Sequence, residues 1–460
     1  MATIEELGRI PGVRVKEELD PSLGITSPQY RVIGLISTSF MDVTKVDIPV
    51  VRGSGKTDTI PGYDAAEVKE VLCVSPYMEA YGTKRIQYVK TTDYTVAENV
   101  ITWVEGKNAP AEGDTYYVTA TITKVSDSFF EPKEFTDYSQ IQAEYGSEYD
   151  STEDRLNQLV LLARFMFTAG AKRVVACQAK SNTLSDIQAA LAKFEEMSVQ
   201  YIVCGSNDVV GVNNAVMQHC VNMSTIENSM LRLAITGPQK STGTVSDFLG
   251  EAQALLSQNI TLVAPGEVQF NVEDQNGVTY TKWGNSIYAA AAIAGMLANP
   301  TRRLATPLTR KSLTDYGIYD VSSYFKKSDI EKMSATGITV LVKTKDTNVV
   351  KINQGLTTDN RNFASYYLNV VACKLEIARL LQKALDDTFI GTEITTGTPT
   401  SVANFLAGQL DGMEGIYING YKNLSVKRDA SIPTKLNAYV EVLAIFALDY
   451  IDLTFKVVQQ

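Results

Sequence analysis

"RVVACQAKSNTLSDIQAALAKFEEMSVQYIVCG" (173–205) alternates two apolar patterns. "VVAC" and "YIVC" are continuous apolar runs, too short to be helices, whereas "LSDIQAALAKFEEM" between them has helical spacing. A strand that is apolar at every position is buried on both faces, the condition met in a parallel sheet covered by helices. The unit recurs on either side. Downstream, "NDVVGVNNAVMQHCVNMS" reads as a helix before the strand "LRLAITG", and "VSDFLGEAQALLS" as a helix before "ITLVAPG". Upstream, "STEDRLNQLVLLARFMFTAG" opens with Ser, Thr and acids that read as a helix start, and it stops at Gly170. "YRVIGLIST" (30–38) is a further buried strand. The predicted core is therefore α/β.

Between that first strand and the block after 136, the composition is β. "IPVVRG", "EVLCVSPYM", "RIQYVKTTDYTV", "VITWVEG" and "DTYYVTATITKV" are separated by Gly, Pro, Asn and Asp. Short strands at this spacing predict a small sandwich or barrel inserted into the α/β unit. After 280 come the Ala-rich helix "SIYAAAAIAGMLANP", whose small residues let another helix approach, and the strand "GITVLVK". One long helix is predicted over 361–388, with Phe363, Tyr366, Val370, Cys373, Ile377, Leu380 and Ala384 as its apolar stripe. A shorter helix covers 400–413. The chain then returns to β in "GIYINGY", "NLSVKRD", "NAYVEVLAIFALDY" and "IDLTFKVV". In the last of these Ile451, Leu453, Phe455 and Val457 alternate with Asp452, Thr454 and Lys456, the period of a half-buried strand. A terminus is usually frayed unless something holds it, and the holder need not be the same chain.

Composition narrows the function. The 460 residues carry a formal net charge of −10 and no Lys/Arg run longer than two, which argues against a nucleic-acid partner. No apolar run reaches the length of a membrane span, so no membrane insertion is expected, and "MATIEELGRIPG" lacks the apolar core of a secretion signal. Cys73, Cys177, Cys204, Cys220 and Cys373 are odd in number and scattered, with no CxxC, so neither a disulfide framework nor a metal site is predicted.

The motifs for chemistry are weak. Gly55-Lys56-Thr57 in "VVRGSGKTD" supplies the tail of a phosphate loop, but the first glycine is replaced by Val50, and Pro61-Gly62 stand where a helix should begin. A hairpin loop is the simpler reading. His219, the single histidine, neighbours Cys220, but adjacent helical residues diverge by about 100°, a poor geometry for a dyad. The post-strand loops "CQAKSNT", "CGSND" and "TGPQKSTGT" contain no GxGxxG; the last is polar enough for a small ligand. The acids of "EYGSEYDSTED" (144–154) lack calcium-loop spacing and are expected to begin the following helix. No catalytic, cofactor or metal residue is assigned. Two rivals stay open: a nucleotide-dependent α/β enzyme using Gly55-Lys56-Thr57, and a small-ligand binding module.

"RIPGVRVKE" followed by "VIGLIST", then "EGDTYYVT" (112–119), "QIQAEYG" (140–146), "LARFMFTAGAKRVVAC" (162–177), "MQHCVNMS" (217–224) and "WGNSIYAAAAIAGMLANPT" (283–301) together resemble, in order, the tail sheath proteins of contractile bacteriophages and related injection machines. The segment "NRNFASYYLNVVACKLEIARLLQKALDDTFI" resembles that family's long C-terminal helix. The resemblance implies a non-enzymatic subunit without cofactors. It would form stacked rings or a helical sheath around a tail tube, with baseplate and tail terminator proteins as further partners. It would belong to the virion tail and assemble in the host bacterial cytoplasm. Neighbouring subunits of such a sheath exchange terminal strands. On this reading 1–24 is an N-terminal linker arm, 25–40 the first core strand, 41–135 the inserted β domain and 136–350 the α/β core. Residues 351–450 form a C-terminal α+β domain and 451–460 a donated strand. Val13, Val15, Ile451, Leu453, Phe455 and Val457 carry the exchange, "NLSVKRD" and "NAYVEVLAIFALDY" receive it, and Lys374, Arg379 and Lys383 are candidates for the tube-facing wall.

Overall fold

The computed structural model describes residues 31–78, 87–225, 228–343 and 348–449. Strand β1 (Ile33–Ser37) is buried throughout and starts the main sheet. The chain then leaves the sheet. β2 (Asp42–Val51), β3 (Thr57–Thr59), β4 (Val68–Ser75), β5 (Tyr94–Ala97), β6 (Val100–Trp103) and β7 (Thr115–Thr123) pair, among the described residues, only with one another, as two three-stranded antiparallel sheets in the orders β2-β7-β4 and β3-β6-β5. The two sheets share one apolar cluster built around Trp103, whose ring lies 5.0 Å from Tyr88 and 5.2 Å from Tyr116, both edge-on. Buried Asp58 accepts from Trp103 Nε1 at 2.7 Å and from Tyr116 Oη at 3.0 Å, so the polar ends of both rings are satisfied inside the core.

The chain returns through β8 (Lys133–Phe135) and helix α1 (Tyr138–Tyr145), which is capped by Asp137. The acids of 150–154 do not begin a helix; they form the turn of a hairpin, β9 (Tyr149–Asp150) with β10 (Arg155–Leu156). The Asp150 carboxylate accepts from the backbone N–H of Thr152 and Glu153, a local bond that competes with helix formation. Helix α2 (Gln158–Thr168) begins only after Asn157.

From there strand and helix alternate: β11 (Val174–Gln178), α3 (Leu184–Ala192), β12 (Tyr201–Cys204), α4 (Val212–Met223), β13 (Leu233–Thr236), α5 (Val245–Leu255) and β14 (Ile260–Ala264). Thr183 caps α3, and Thr244 with Asp247 closes a capping box on α5. A hairpin, β15 (Glu267–Glu273) and β16 (Thr279–Asn285), precedes α6 (Ile287–Ala298); β17 (Asp320–Val321), α7 (Lys327–Ala335), β18 (Ile338–Lys343) and β19 (Val350–Ile352) follow. The eight-stranded sheet runs β19-β18-β14-β13-β12-β1-β11-β8, six parallel strands with an antiparallel strand at each edge. Its strands send alternate residues to opposite faces. Ile33, Leu35, Val174 and Ala176 join the cluster under α2 and α6, while Ile36, Val175 and Cys177 join the one under α3 and α4. Helix α6 is buried on every side. A Cβ built at Gly295 would lie 2.4 Å from Met166 O and 2.8 Å from Ala169 Cβ, so glycine is what lets α2 cross it.

The long C-terminal helix is two helices, α8 (Phe363–Tyr366) and α9 (Leu368–Phe389). Tyr367 between them is extended, and Thr357 N–H and Leu368 N–H donate to Tyr366 O and Gly355 O, so the backbone groups freed at the break are paired with the 355–357 segment. Phe363, expected in the apolar stripe, is 69% exposed. Helix α10 (Thr398–Met413) then leads into β20 (Ile418–Arg428) and β21 (Leu436–Ala444), an antiparallel ribbon.

Candidate functional site

In doubly wound sheets, ligands bind where the strand order reverses, at the carboxyl ends. Here that point lies between β1 and β12. It is filled by the chain itself: Gln158 Oε1 accepts from Ser37 Oγ at 2.8 Å and from Ser206 N–H at 2.9 Å. A Cβ on Gly205 would lie 2.2 Å from Ser37 Oγ.

The other chemical candidates are likewise engaged. Lys56 forms an exposed ion pair with Glu105 at 2.6 Å, and Thr57 opens a strand rather than a helix. In the same loop Gly53 O and Gly55 O accept from Arg52, so these carbonyls turn inward, the reverse of a cradle of N–H groups. We therefore expect Lys56→Ala to leave the melting temperature unchanged, and Mg-ATP to shift neither protein in a thermal-denaturation assay. Stabilisation of the wild type by ATP that the variant loses would restore the nucleotide rival.

His219 is buried on α4 and accepts from Arg232 Nη1 at 2.5 Å. Burial first, and then the Arg232 charge, hold its pKa down to about 4, so the ring is neutral and structural. The loop "TGPQKSTGT" borders a cleft of about 380 Å³ with Asn207, Asn213, Asp247 and Glu251. Its charged groups are engaged: Lys240 pairs with Asp247 at 2.7 Å, and Glu251 accepts from Asn213 Nδ2 at 2.7 Å and Gln239 N–H at 3.0 Å. Among the described residues no cluster of His, Cys, Asp or Glu is placed to hold a metal, and no helix is long and apolar enough to cross a membrane.

The described chain also leaves backbone edges open. The β20–β21 ribbon is a two-stranded sheet, so among the described residues both of its outer edges lack a partner strand. "GIYINGY" and "NLSVKRD" merge into the single strand β20, bent by two irregularities in register, and β21 ends at Ala444 instead of continuing through 450. Tyr439, Val442, Leu443, Phe446 and Leu448 expose apolar surface on and just beyond β21. The ribbon is fixed at its base. Ile418 is fully buried, and Tyr421 Oη donates to Asp411 on α10 at 2.9 Å. After Ala444 the chain turns back to the core. Ile445 O accepts from Asn369 Nδ2, and the Asp449 carboxylate accepts from Gln354 Nε2 at 2.8 Å, Tyr367 Oη at 2.9 Å and Thr309 Oγ1 at 3.2 Å. Asp449, the last described residue, is therefore anchored to the core. That anchor was missed in the sequence because Asp449 looks like any polar residue of an alternating strand.

Val13, Val15, Ile451, Leu453, Phe455 and Val457 lie outside the described residues. Lys374, Arg379 and Lys383 all sit on α9. Lys374 bonds Gln258, Arg379 pairs with Glu376 at 2.9 Å, and Lys383 pairs with Asp387 at 2.7 Å. At about 100° per residue, Lys374 and Arg379 point about 140° apart, so the three do not share one face.

No family model matches the sequence. The chain is 24% identical to a tail sheath protein of Mycobacterium phage Bxz1, over 95% of this chain and 77% of the relative. Several solved structures share the fold, among them three from contractile injection systems. A chain of the anti-feeding prophage baseplate superimposes with a TM-score of 0.57 at 14% identity, covering 73% of this chain and 90% of that one. The anti-feeding prophage helical sheath in the contracted state gives 0.53 at 13% identity, over 73% and 90%. The sheath complex of an extracellular contractile injection system, also contracted, gives 0.52 at 12% identity, over 71% and 86%. Over nearly its whole length the chain thus resembles a phage tail sheath protein, and its fold is one found in the sheaths and baseplates of contractile injection systems.

Proposed function

We propose that this chain is a structural subunit of a contractile tail sheath. It polymerises as stacked rings or a helix around a tail tube, is bounded by baseplate and terminator proteins, and belongs to the virion tail after assembly in the host cytoplasm. Joints between subunits form by strand exchange: 451–458 of one copy, with the stretch around Val13 and Val15 of another, adds to the edges of the β20–β21 ribbon. The observation that carries this reading is the ribbon itself, two strands whose outer edges have no partner strand among the described residues, beside the anchored Asp449. An added strand contributes backbone hydrogen bonds whatever its sequence, and alternate side chains fix its register. Linkers on either side of such a joint bend while the joint stays paired, so subunits rotate and slide without separating. Contraction then needs no nucleotide, only an extended polymer of higher free energy than the contracted one. Lys374, Arg379 and Lys383 remain proposed contacts to the tube. Negative-stain electron microscopy of the purified protein tests the reading: hollow cylinders of even diameter are expected, and a monomer at every concentration and salt would overturn it.

A further inference from the structure

The inserted β sheets join the core through two linkers, 38–41 outward and 124–132 back, and one side chain ties both to the core. Lys124 is fully buried. Its Nζ donates to Ser39 Oγ at 2.6 Å and Gln178 Oε1 at 3.1 Å, and stands 4.8 Å from the centre of the Tyr145 ring. Its backbone N–H donates to Met41 O at 2.8 Å. Ser39 and Met41 belong to the outward linker, Gln178 ends β11 and Tyr145 ends α1, so four segments meet at one amine.

Every partner of that amine is neutral. The nearby charged groups are Glu144 on α1, Lys45 on β2 and Lys133 on β8. Glu144, the carboxylate among them, is already engaged by Lys133 at 2.8 Å and Lys45 at 3.1 Å. The buried phenol of Tyr145 also faces this region; burial raises its pKa, so it supplies no negative charge near neutrality. A buried ammonium without a counter-ion is unstable in such a place, whereas a neutral amine with two acceptor oxygens and a ring face is not.

We propose that Lys124 is a proton-controlled latch: uncharged, it seats the inserted β sheets on the core, and charged, it loosens that seat. This goes beyond the sheath reading and holds for the isolated subunit. Burial is the main influence on the amine; Glu144 opposes it, Lys45 and Lys133 add to it, and the net effect lowers its pKa to about 7. A solvated lysine titrates near 10.4. Between these values the loosened state binds more protons than the seated one, so raising the pH from 7 favours the seated state. Below pH 7 both states are charged and the seated state bears the full cost of burying the charge.

Hydrogen–deuterium exchange of the full chain, wild type and Lys124→Met, over pH 6–9 tests this. In the wild type the protection factors of 38–42 and 123–127 should rise with pH, by up to about tenfold per unit above pH 7 relative to the variant. The variant should be flat and already protected at pH 6. Identical pH profiles in the two proteins would overturn the latch. Should the variant not fold, the lysine 13Cε titration of the wild type decides: one lysine titrating near neutrality supports it, and all lysines titrating near 10 overturn it.

Discussion

Removal of residues 451–460 should leave a folded monomer that makes no cylinders. Among the described residues, the apolar clusters of the main sheet and the inserted sheets are built without anything beyond Ile445. Asp449 keeps its bonds to Thr309, Gln354 and Tyr367, so the return of the chain to the core is untouched. What is lost is the donated strand. Ile451, Leu453, Phe455 and Val457 bring four apolar side chains at about 1.5–3 kcal/mol each, and the added ladder several hydrogen bonds at about 1 kcal/mol each. Ordering the segment opposes this, but a joint of even about 8 kcal/mol corresponds to a roughly million-fold shift in the association constant. Sedimentation should find the truncated chain monomeric at concentrations where the full chain pellets as polymer. Leu453→Lys with Phe455→Lys, which keeps the chain length, should behave the same way. Normal tubes from either protein would remove strand exchange as the joint.

How much of this was legible in the sequence depends on where the physical determinant lies. Ile33–Ser37 and Val174–Gln178 could be read as strands because burial on two faces makes the run apolar without alternation. Thr183 and Thr244 cap real helix starts, and such caps act within three residues. The same residue types misled at 150–154, where Asp150 captures nearby N–H groups to make a turn. The break at Tyr367 was invisible because its backbone partners come from 355–357, outside the helical pattern. The β15–β16 hairpin was overlooked although Val268, Phe270 and Val272 alternate before Asn276-Gly277, a turn signal that could have found it. The ribbon was legible from its alternation; its bare edges are a property of sheet topology. Lys124 and Glu376 carry no mark at all. A single charged residue reads as surface until tertiary contacts show it enclosed.

Glu376 yields the second large effect. It is 6% exposed on α9 and pairs with Arg31, 8% exposed, immediately before β1. Arg31 Nε stands 3.5 Å from Glu376 Oε1, near enough for attraction, yet it makes no hydrogen bond there. Its other nitrogens donate to Leu297 O, Asn299 O and Tyr417 Oη. The pair therefore joins the start of the main sheet, the end of α6, helix α9 and the root of the ribbon. On the other side of Glu376, Arg379 closes a two-bond pair at 2.9 and 3.1 Å. In Glu376→Ala the two arginines fare differently. Arg379 is more open and can turn to water, whereas Arg31 cannot leave without unpacking β1. An uncompensated buried charge costs about 3–5 kcal/mol, a large share of the roughly 5–15 kcal/mol that holds a domain folded. Urea unfolding should show the midpoint lowered by about 1 M or more. Loss of charge, rather than of packing, is isolated by Arg31→Met combined with Glu376→Leu, which removes both ions and refills the space; it should recover most of the stability. A single variant within about 1 kcal/mol of wild type, or a double variant no better than the single, would mean that the junction is held by the Arg31 bonds to Leu297, Asn299 and Tyr417 and that the ion pair contributes nothing to it.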